Sequence, residues 1–232
     1  MAVMKTACLA LALLFIVPIS VALAADTPRL DDFTLEIAAK IKARERTLKT
    51  FEARFDQIQK SQLFENIVHS RGIIRYDADG RLLFQVTEPT PYAVVFDRDW
   101  VYILDPSQNR IKKRHVGRNG NIIKKFFGVG QPLEDLTRRF DVKATSNAPL
   151  PGVTLAMRPR EARLAERISL ISADVDDKTW LPVEIFIQQA HGDWTRMHLD
   201  FTAVNRPLPP DAFDIEGANL KKDKTPGDKE AP

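Results

Sequence analysis

The stretch Gly72-Ile73-Ile74-Arg75-Tyr76-Asp77-Ala78-Asp79-Gly80-Arg81-Leu82-Leu83-Phe84-Gln85-Val86 decides the fold class. Ile74 and Tyr76 alternate with Arg75 and Asp77, and Leu82, Phe84 and Val86 share one side after Ala78-Asp79-Gly80. A period of two on both sides of a Gly-ended turn predicts a β-hairpin with an apolar face. Upstream, Phe51, Ala53 and Phe55 alternate with Glu52, Arg54 and Asp56, and a further strand is expected over 63–69. Downstream, Glu88-Pro89-Thr90-Pro91 interrupts and Tyr92–Phe96 resumes. Asp97-Arg98-Asp99 then turns the chain into Trp100–Leu104. A last turn over Asp105–Asn109 leads to Arg110–Val116, whose polarity suits a sheet edge.

Outward from this meander the pattern changes twice. Before it, Asp31 and Asp32 offer an N-cap, and Phe33, Ile37, Ile41 and Leu48 recur at helical spacing, predicting an amphipathic helix of about 16 to 18 residues. After it, Gly117–Gly120 breaks the sheet, and short helices are expected over 121–127 and 132–140. Strands follow at 141–145, 152–158, 165–174, 181–189 and 193–204, with turns at Asp176-Asp177-Lys178-Thr179 and Ala190-His191-Gly192. Strands joined by tight turns, with no strand–helix–strand alternation, give a mainly β, antiparallel sheet. No Pro/Gly/Ser-rich linker divides it, so a single domain is expected over 25–220, with a charged tail over 221–232.

An antiparallel sheet with one apolar face needs a cover. The helices are the expected lid, through Phe33, Ile37, Ile41, Phe126, Phe127 and Leu133. The face beneath is expected to carry Phe55, Ile74, Tyr76, Leu82, Phe84 and Val94. Phe96, Trp100, Tyr102, Phe186, Leu199 and Phe201 are assigned to it as well. Thirteen phenylalanines against three tyrosines and three tryptophans suit a packed core and a greasy cavity alike.

The chain has 232 residues and 44% hydrophobic content, with 34 basic against 31 acidic residues and a formal charge of +3. Lys5, the apolar run Ala7–Val17, Pro18 and Ala22-Leu23-Ala24 form the pattern of a secretory signal peptide over 1–24. The run is too short for a membrane span. Its removal leaves 33 basic and 31 acidic residues, a formal +2, and takes away Cys8, the only cysteine. A thiol-free exported chain has no disulfide, thiolate catalysis, Cys-ligated zinc or iron–sulfur chemistry.

Little else points to catalysis. His69, His115, His191 and His198 form no HExxH pattern, and His191 and His198, beside Asp193 and Asp200, read as surface histidines. Asp174, Asp176 and Asp177 lack calcium-loop spacing and read as turn acids. Glu88, Glu134, Asp135 and Glu184 are not paired by spacing, so an acid–base dyad would have to be assembled by the fold. No metal and no cofactor is expected. The basic run Lys112-Lys113-Arg114, in a near-neutral chain without a nucleic-acid motif, reads as an edge guard or as a docking patch for an acidic partner or lipid headgroups.

The segments Gly72–Tyr76, Leu82-Leu83-Phe84, Glu88-Pro89, Val94–Asp97, Trp100–Pro106 and Asn205–Phe213 resemble the periplasmic outer-membrane lipoprotein carrier family, LolA. The resemblance implies a strongly curved, unclosed antiparallel barrel of about eleven strands, lidded by helices around an apolar cavity. It implies a non-catalytic, monomeric carrier that accepts lipoprotein acyl chains from an inner-membrane ABC-type releasing complex. Such a carrier hands them to an outer-membrane receptor, with no nucleic-acid partner. Family members carry an Arg-Pro pair on the first hairpin whose arginine latches the lid. Here Ala78-Asp79 stands in that place, with Arg75 and Arg81 the nearby basic residues. A carrier of glycolipid, phospholipid or another amphiphile fits the same pattern. The other classes are a hydrolase whose carboxylates converge in the fold and a non-catalytic cell-envelope interaction module.

Overall fold

The computed structural model describes residues 30–62, 67–105, 110–115, 133–146 and 151–215. The expected signal peptide, the helix over 121–127 with Phe126 and Phe127, and the tail over 221–232 lie outside these residues.

Helix α1 spans Asp32–Thr47, 16 residues, the lower end of the expected length. Asp31 caps it, its carboxylate accepting the Thr34 amide at 2.7 Å. That hydrogen bond is the main reason the Asp31 carboxyl is held below its usual value of 3.8. Strands β1 (Thr50–Lys60), β2 (Ile67–Asp77), β3 (Arg81–Glu88), β4 (Tyr92–Asp97), β5 (Trp100–Asp105) and β6 (Arg110–His115) follow as an antiparallel meander. In place of the separate strands expected over 63–69 and 72–77, one strand runs through. His69, Ser70 and Arg71 look like a break by polarity, yet Ser70 is buried opposite Gln57 while Arg71 pairs with exposed Asp56.

Helix α2 (Leu133–Arg139) leads into β7 (Phe140–Thr145) and β8 (Gly152–Pro159). The expected strand over 165–174 starts later than its hydropathy suggests. Ala162–Ala165 is a helical turn, α3, whose Leu164 is buried, and β9 runs over Ile168–Asp176. Then come β10 (Pro182–Gln189) and β11 (Trp194–Val204).

All eleven strands belong to one sheet in the order β6-β5-β4-β3-β2-β1-β11-β10-β9-β8-β7. It is antiparallel and curved, and it is not closed, because β6 and β7 are edges instead of a pair. β1 sits at the middle, paired with β2 on one side and with β11 on the other.

One face, which we call inner, is assembled row by row. Phe51, Tyr76, Leu82, Phe96 and Val101 are successive cross-strand partners, as are Ala53, Ile74, Phe84, Val94 and Ile103. On the other side of β1 the inner row continues through Met197, Ile185, Ala173, Leu155 and Ala144. Helix α1 lies over this second half. Ile37 and Ile41 pack with Ala144, Val153, Leu155 and Trp180. The buried Thr34 hydroxyl accepts the Ala144 amide at 3.0 Å, so an edge-strand N–H is satisfied by the helix.

The outer face of the meander is apolar too. Leu83, Ala93, Val95 and Leu104 are buried there beneath Phe213 and Ile215. The segment Asn205–Phe213 supplies this cover and its anchors. Asn205, at φ 54°, donates from its amide side chain to Thr47 O at 2.8 Å and accepts the Lys49 amide at 2.7 Å, tying the end of β11 to the end of α1. Arg75 pairs with Glu52 at 2.7 Å and donates to Ala212 O at 3.3 Å, while the Arg81 guanidinium lies 4.5 Å from the Phe213 ring centroid.

Two positions generate predictions. The Phe55 ring lies across Gly72, where an added Cβ would come within 1.9 Å of Gln85 O and 2.7 Å of that ring. Gly72→Ala is expected to destabilise the protein by about 2 kcal/mol or more, seen as a lower urea midpoint. An unchanged midpoint contradicts the close packing. Asp176 closes the β9–β10 turn by accepting the Thr179 hydroxyl at 2.7 Å, the Thr179 amide at 2.6 Å and the Lys178 amide at 3.1 Å. These bonds, the Thr179 hydroxyl first, hold its carboxyl below 3.8. A depressed folded pKa gives stability that is complete above the unfolded value and is lost as pH falls through the folded one. Asp176→Asn is therefore expected to be less stable than wild type at neutral pH and to show a smaller loss on acidification below 3.8. Parallel acid-titration curves for the two proteins would contradict this.

Candidate functional site

The inner face is the largest apolar surface that the described strands share. Phe55, Ile74, Tyr76, Leu82, Phe84, Val94, Phe96 and Leu199 are buried in one cluster, with Phe201 packed against it. Nine of the twelve residues assigned to this face from the sequence therefore lie together. Phe55 and Phe84 stack with centroids 4.7 Å apart, and Phe51 meets Tyr76 and Phe201 at 5.3 Å each. Burial, with Asp77 and Glu45 nearby, pushes the Tyr76 phenol above 10.0, so it stays neutral at physiological pH.

The other three are corrections. Tyr102 is the partner of Val95 and packs with the outer cluster. Trp100 shares its side, 37% exposed and opposite His115. Phe186 is opposite Ser172 and Arg196 and lies under the Arg196 guanidinium at 5.7 Å, also outside. Val101, Ile103 and Ile185 occupy the inner positions instead. The register of the short β4–β5 turn carries this signal. Asp97 pairs with Trp100, so Trp100 takes the side of a charged residue.

Of the expected lid, Ile37 and Ile41 point onto the sheet, whereas Phe33 is 40% exposed and does not. The reason is angular: Phe33 lies one turn before Ile37 but on the solvent side of the buried Thr34. Leu133 opens α2; its side chain, like Phe126 and Phe127, lies outside the described residues. Among the described residues Arg75 and Arg81 latch no helix. Both are engaged on the outer face with the segment that follows β11.

The inner face ends in a polar band. Gln57, Gln59, Ser70 and Thr195 are buried there, and Gln57 Oε1 has no hydrogen-bond partner among the described residues. The composition of β1 holds the sign of it, since Gln57 and Gln59 continue the alternation begun by Phe51, Ala53 and Phe55.

The basic run lies on β6, an edge strand, with Lys112, Lys113 and Arg114 all exposed. Lys113 Nζ lies over the Trp100 ring at 4.0 Å and near Tyr102 at 5.4 Å, while Lys112 and Arg114 belong to the opposite side of the strand. His191 and His198 are exposed, and among the described residues no three His, Cys, Asp or Glu groups are placed to hold a metal.

An open pocket of about 420 Å³ lies between helix α1 and the β9–β10 turn, lined by Lys40, Ala43, Arg44, Lys178, Thr179 and Trp180. The sequence does not mark these walls as a group. Lys40 and Arg44 read as ordinary helix-surface charges, and only the fold brings Lys178 and Trp180 to them.

The sequence profile described as "Outer membrane lipoprotein carrier protein LolA" matches residues 46–216. No curated protein sequence matches the chain. Among solved structures, an uncharacterized conserved protein from Thermus thermophilus aligns with a TM-score of 0.54 at 9% identity, covering 82% of this chain and 98% of that one. The MucA/MucB complex of Pseudomonas aeruginosa aligns at 0.49 and 16% identity, covering 80% and 62%. Mycobacterium tuberculosis lipoprotein LppX aligns at 0.47 and 11% identity, covering 77% and 98%. The profile match spans well over half of the chain and includes the central strand, the meander and the segment after β11, so the protein belongs to the outer-membrane lipoprotein carrier family, LolA.

Proposed function

We propose that this protein is a periplasmic carrier that shelters acyl chains of lipoproteins on the inner face of its sheet and ferries them from the inner to the outer membrane. The observation that carries the reading is the continuous apolar face running from β11 through β1 to β5, in a chain of this family. Each methylene removed from water contributes about 0.8 kcal/mol, so a free acyl chain does not cross an aqueous space unshielded. In the structure the aromatic side chains of this face touch one another, so loading requires the sheet and its helical cover to part. The open edges at β6 and β7 permit such a movement without breaking a ladder.

On this reading the N-terminal 24 residues direct export and are removed, and the domain over 25–220 acts alone as a monomer. An inner-membrane ABC-type complex loads it and an outer-membrane receptor unloads it. The exposed Lys112, Lys113 and Arg114 edge provides the docking charge.

The decisive experiment is mass spectrometry of what co-purifies with the exported protein. Lipoproteins bearing acyl chains support the reading, free glycolipid or phospholipid alone redirects it to another amphiphile, and the absence of any acylated species rejects it. Ile103 and Ile185 are half-buried at the border of the face, where substitution disturbs the core least. Ile103→Glu and Ile185→Glu are each expected to weaken a fluorescent fatty-acyl probe about ten-fold or more, with the far-UV circular dichroism unchanged. Wild-type binding by both folded variants would rule out the inner face. Replacing Lys112, Lys113 and Arg114 together by Gln is expected to slow delivery to membranes while leaving probe affinity as it was. Unchanged delivery would remove the docking role.

A further inference from the structure

The pocket between α1 and the β9–β10 turn is cationic, and two of its three charges form no ion pair among the described residues. Its walls carry Lys40, Arg44 and Lys178. Lys40 is paired with Glu36 at 2.6 Å and sits 5.1 Å from the centroid of the Trp180 ring. No carboxylate among the described residues pairs with Arg44 or Lys178. Asp176 feels the Lys178 charge without forming an ion pair with it, its carboxylate accepting the Thr179 hydroxyl and amide and the Lys178 amide. Arg44 Nε is buried and has no acceptor among the described residues. Arg44 lines the pocket, and a guanidinium fork that no described carboxylate engages suits an oxyanion.

The turn is built to hold the pocket's wall in place. Trp180 has φ 54°, a left-handed conformation that a bulky side chain adopts at a cost. It is held there by its amide bond to Asp176 O at 2.9 Å, with its side chain packed against the cluster of Ile37, Ala144 and Val153 and with Lys40 Nζ over its ring. Along the chain the pocket residues adjoin the apolar face. Leu181, the next residue after Trp180, and Leu48, one turn beyond Arg44, both belong to the inner cluster. Cations and an aromatic ring thus stand at the margin of a surface suited to acyl chains, and about 420 Å³ is ample for a small headgroup.

We propose that this pocket binds the phosphate of an anionic amphiphile whose acyl chains lie on the inner face. Arg44 and Lys178 contact the oxyanion, the Thr179 and Trp180 walls flank it, and the chains run past Leu48 and Leu181. The proposal rests on the inner face as the acyl-binding surface of the carrier reading above, and extends its cargo to amphiphiles that bear a phosphate.

The test uses the full exported chain and displacement of a fluorescent fatty-acyl probe by two competitors with the same chains, dioleoylphosphatidic acid and dioleoylglycerol. The phosphate-bearing lipid is expected to compete about ten-fold better in the wild type. Arg44→Gln and Lys178→Gln are each expected to bring the ratio of the two affinities close to one, with the far-UV circular dichroism of wild type. A ratio near one in the wild type, or a ratio that survives both substitutions, overturns the pocket assignment and leaves the carrier reading standing. Failure of the probe and both lipids to bind removes the carrier reading and this proposal together. Inorganic phosphate serves as a third competitor. Displacement of the probe by phosphate alone, as effective as by the lipid, would make the site one for a free anion, against the proposal.

Discussion

The ladder between β1 and β11 is the interaction on which the rest of the structure depends. The other strand pairs join neighbours in the chain, β1 through β6 on one side and β7 through β11 on the other. These are hairpins, and each half is a meander that short turns specify locally. Only Phe51–Lys60 against Trp194–Val204 crosses the whole domain, and it makes two sheets into one. Its residues show why it holds. Phe55 faces Leu199 across the ladder and stacks on Phe84, so the same ring secures both halves. Asn205 then ties the end of this ladder to α1 and thereby to the cover.

Once the halves are joined, the two sides of the sheet are no longer equivalent. The inner side is apolar almost from edge to edge, with α1 over the β7–β8 end. The outer side is apolar beneath the segment ending at Phe213 and Ile215, and elsewhere it carries pairs such as Arg71 with Asp56 and Arg196 with Glu184. The arginines nearest the first hairpin are engaged with that outer cover. Among the described residues α1 is held against the inner face by apolar contact through Ile37 and Ile41 and by the Thr34–Ala144 hydrogen bond. Apolar contact of this kind is graded and non-directional.

Sequence reading reaches the hairpins, their turns and most of the inner face because β1, β2 and β11 alternate cleanly between buried and exposed residues. It fails at β4 and β5 because both faces are covered there. Ala93, Val94, Val95 and Phe96 are buried in succession, so polarity no longer marks a side and Trp100 and Tyr102 fall on the wrong one. The same loss of contrast affects Phe186 in β10, whose residues are nearly all half-buried. The cationic pocket is out of reach for another reason. Its members come from positions 40–44 and 178–180, and no local pattern records that a helix at one end of the chain will settle on a turn far along it.

The central ladder also imposes an order on manufacture. A chain made from its N-terminus presents β1 first and β11 last of the eleven strands, so the middle strand lacks one of its two neighbours until the other ten have been made. Closing a loop of that length costs entropy that no intermediate length recovers. Every shorter product leaves the flank of β1 and the aromatic surface behind it open to water, to proteases and to unintended strands. The architecture thus distinguishes a finished molecule from a fragment by whether one seam is sewn.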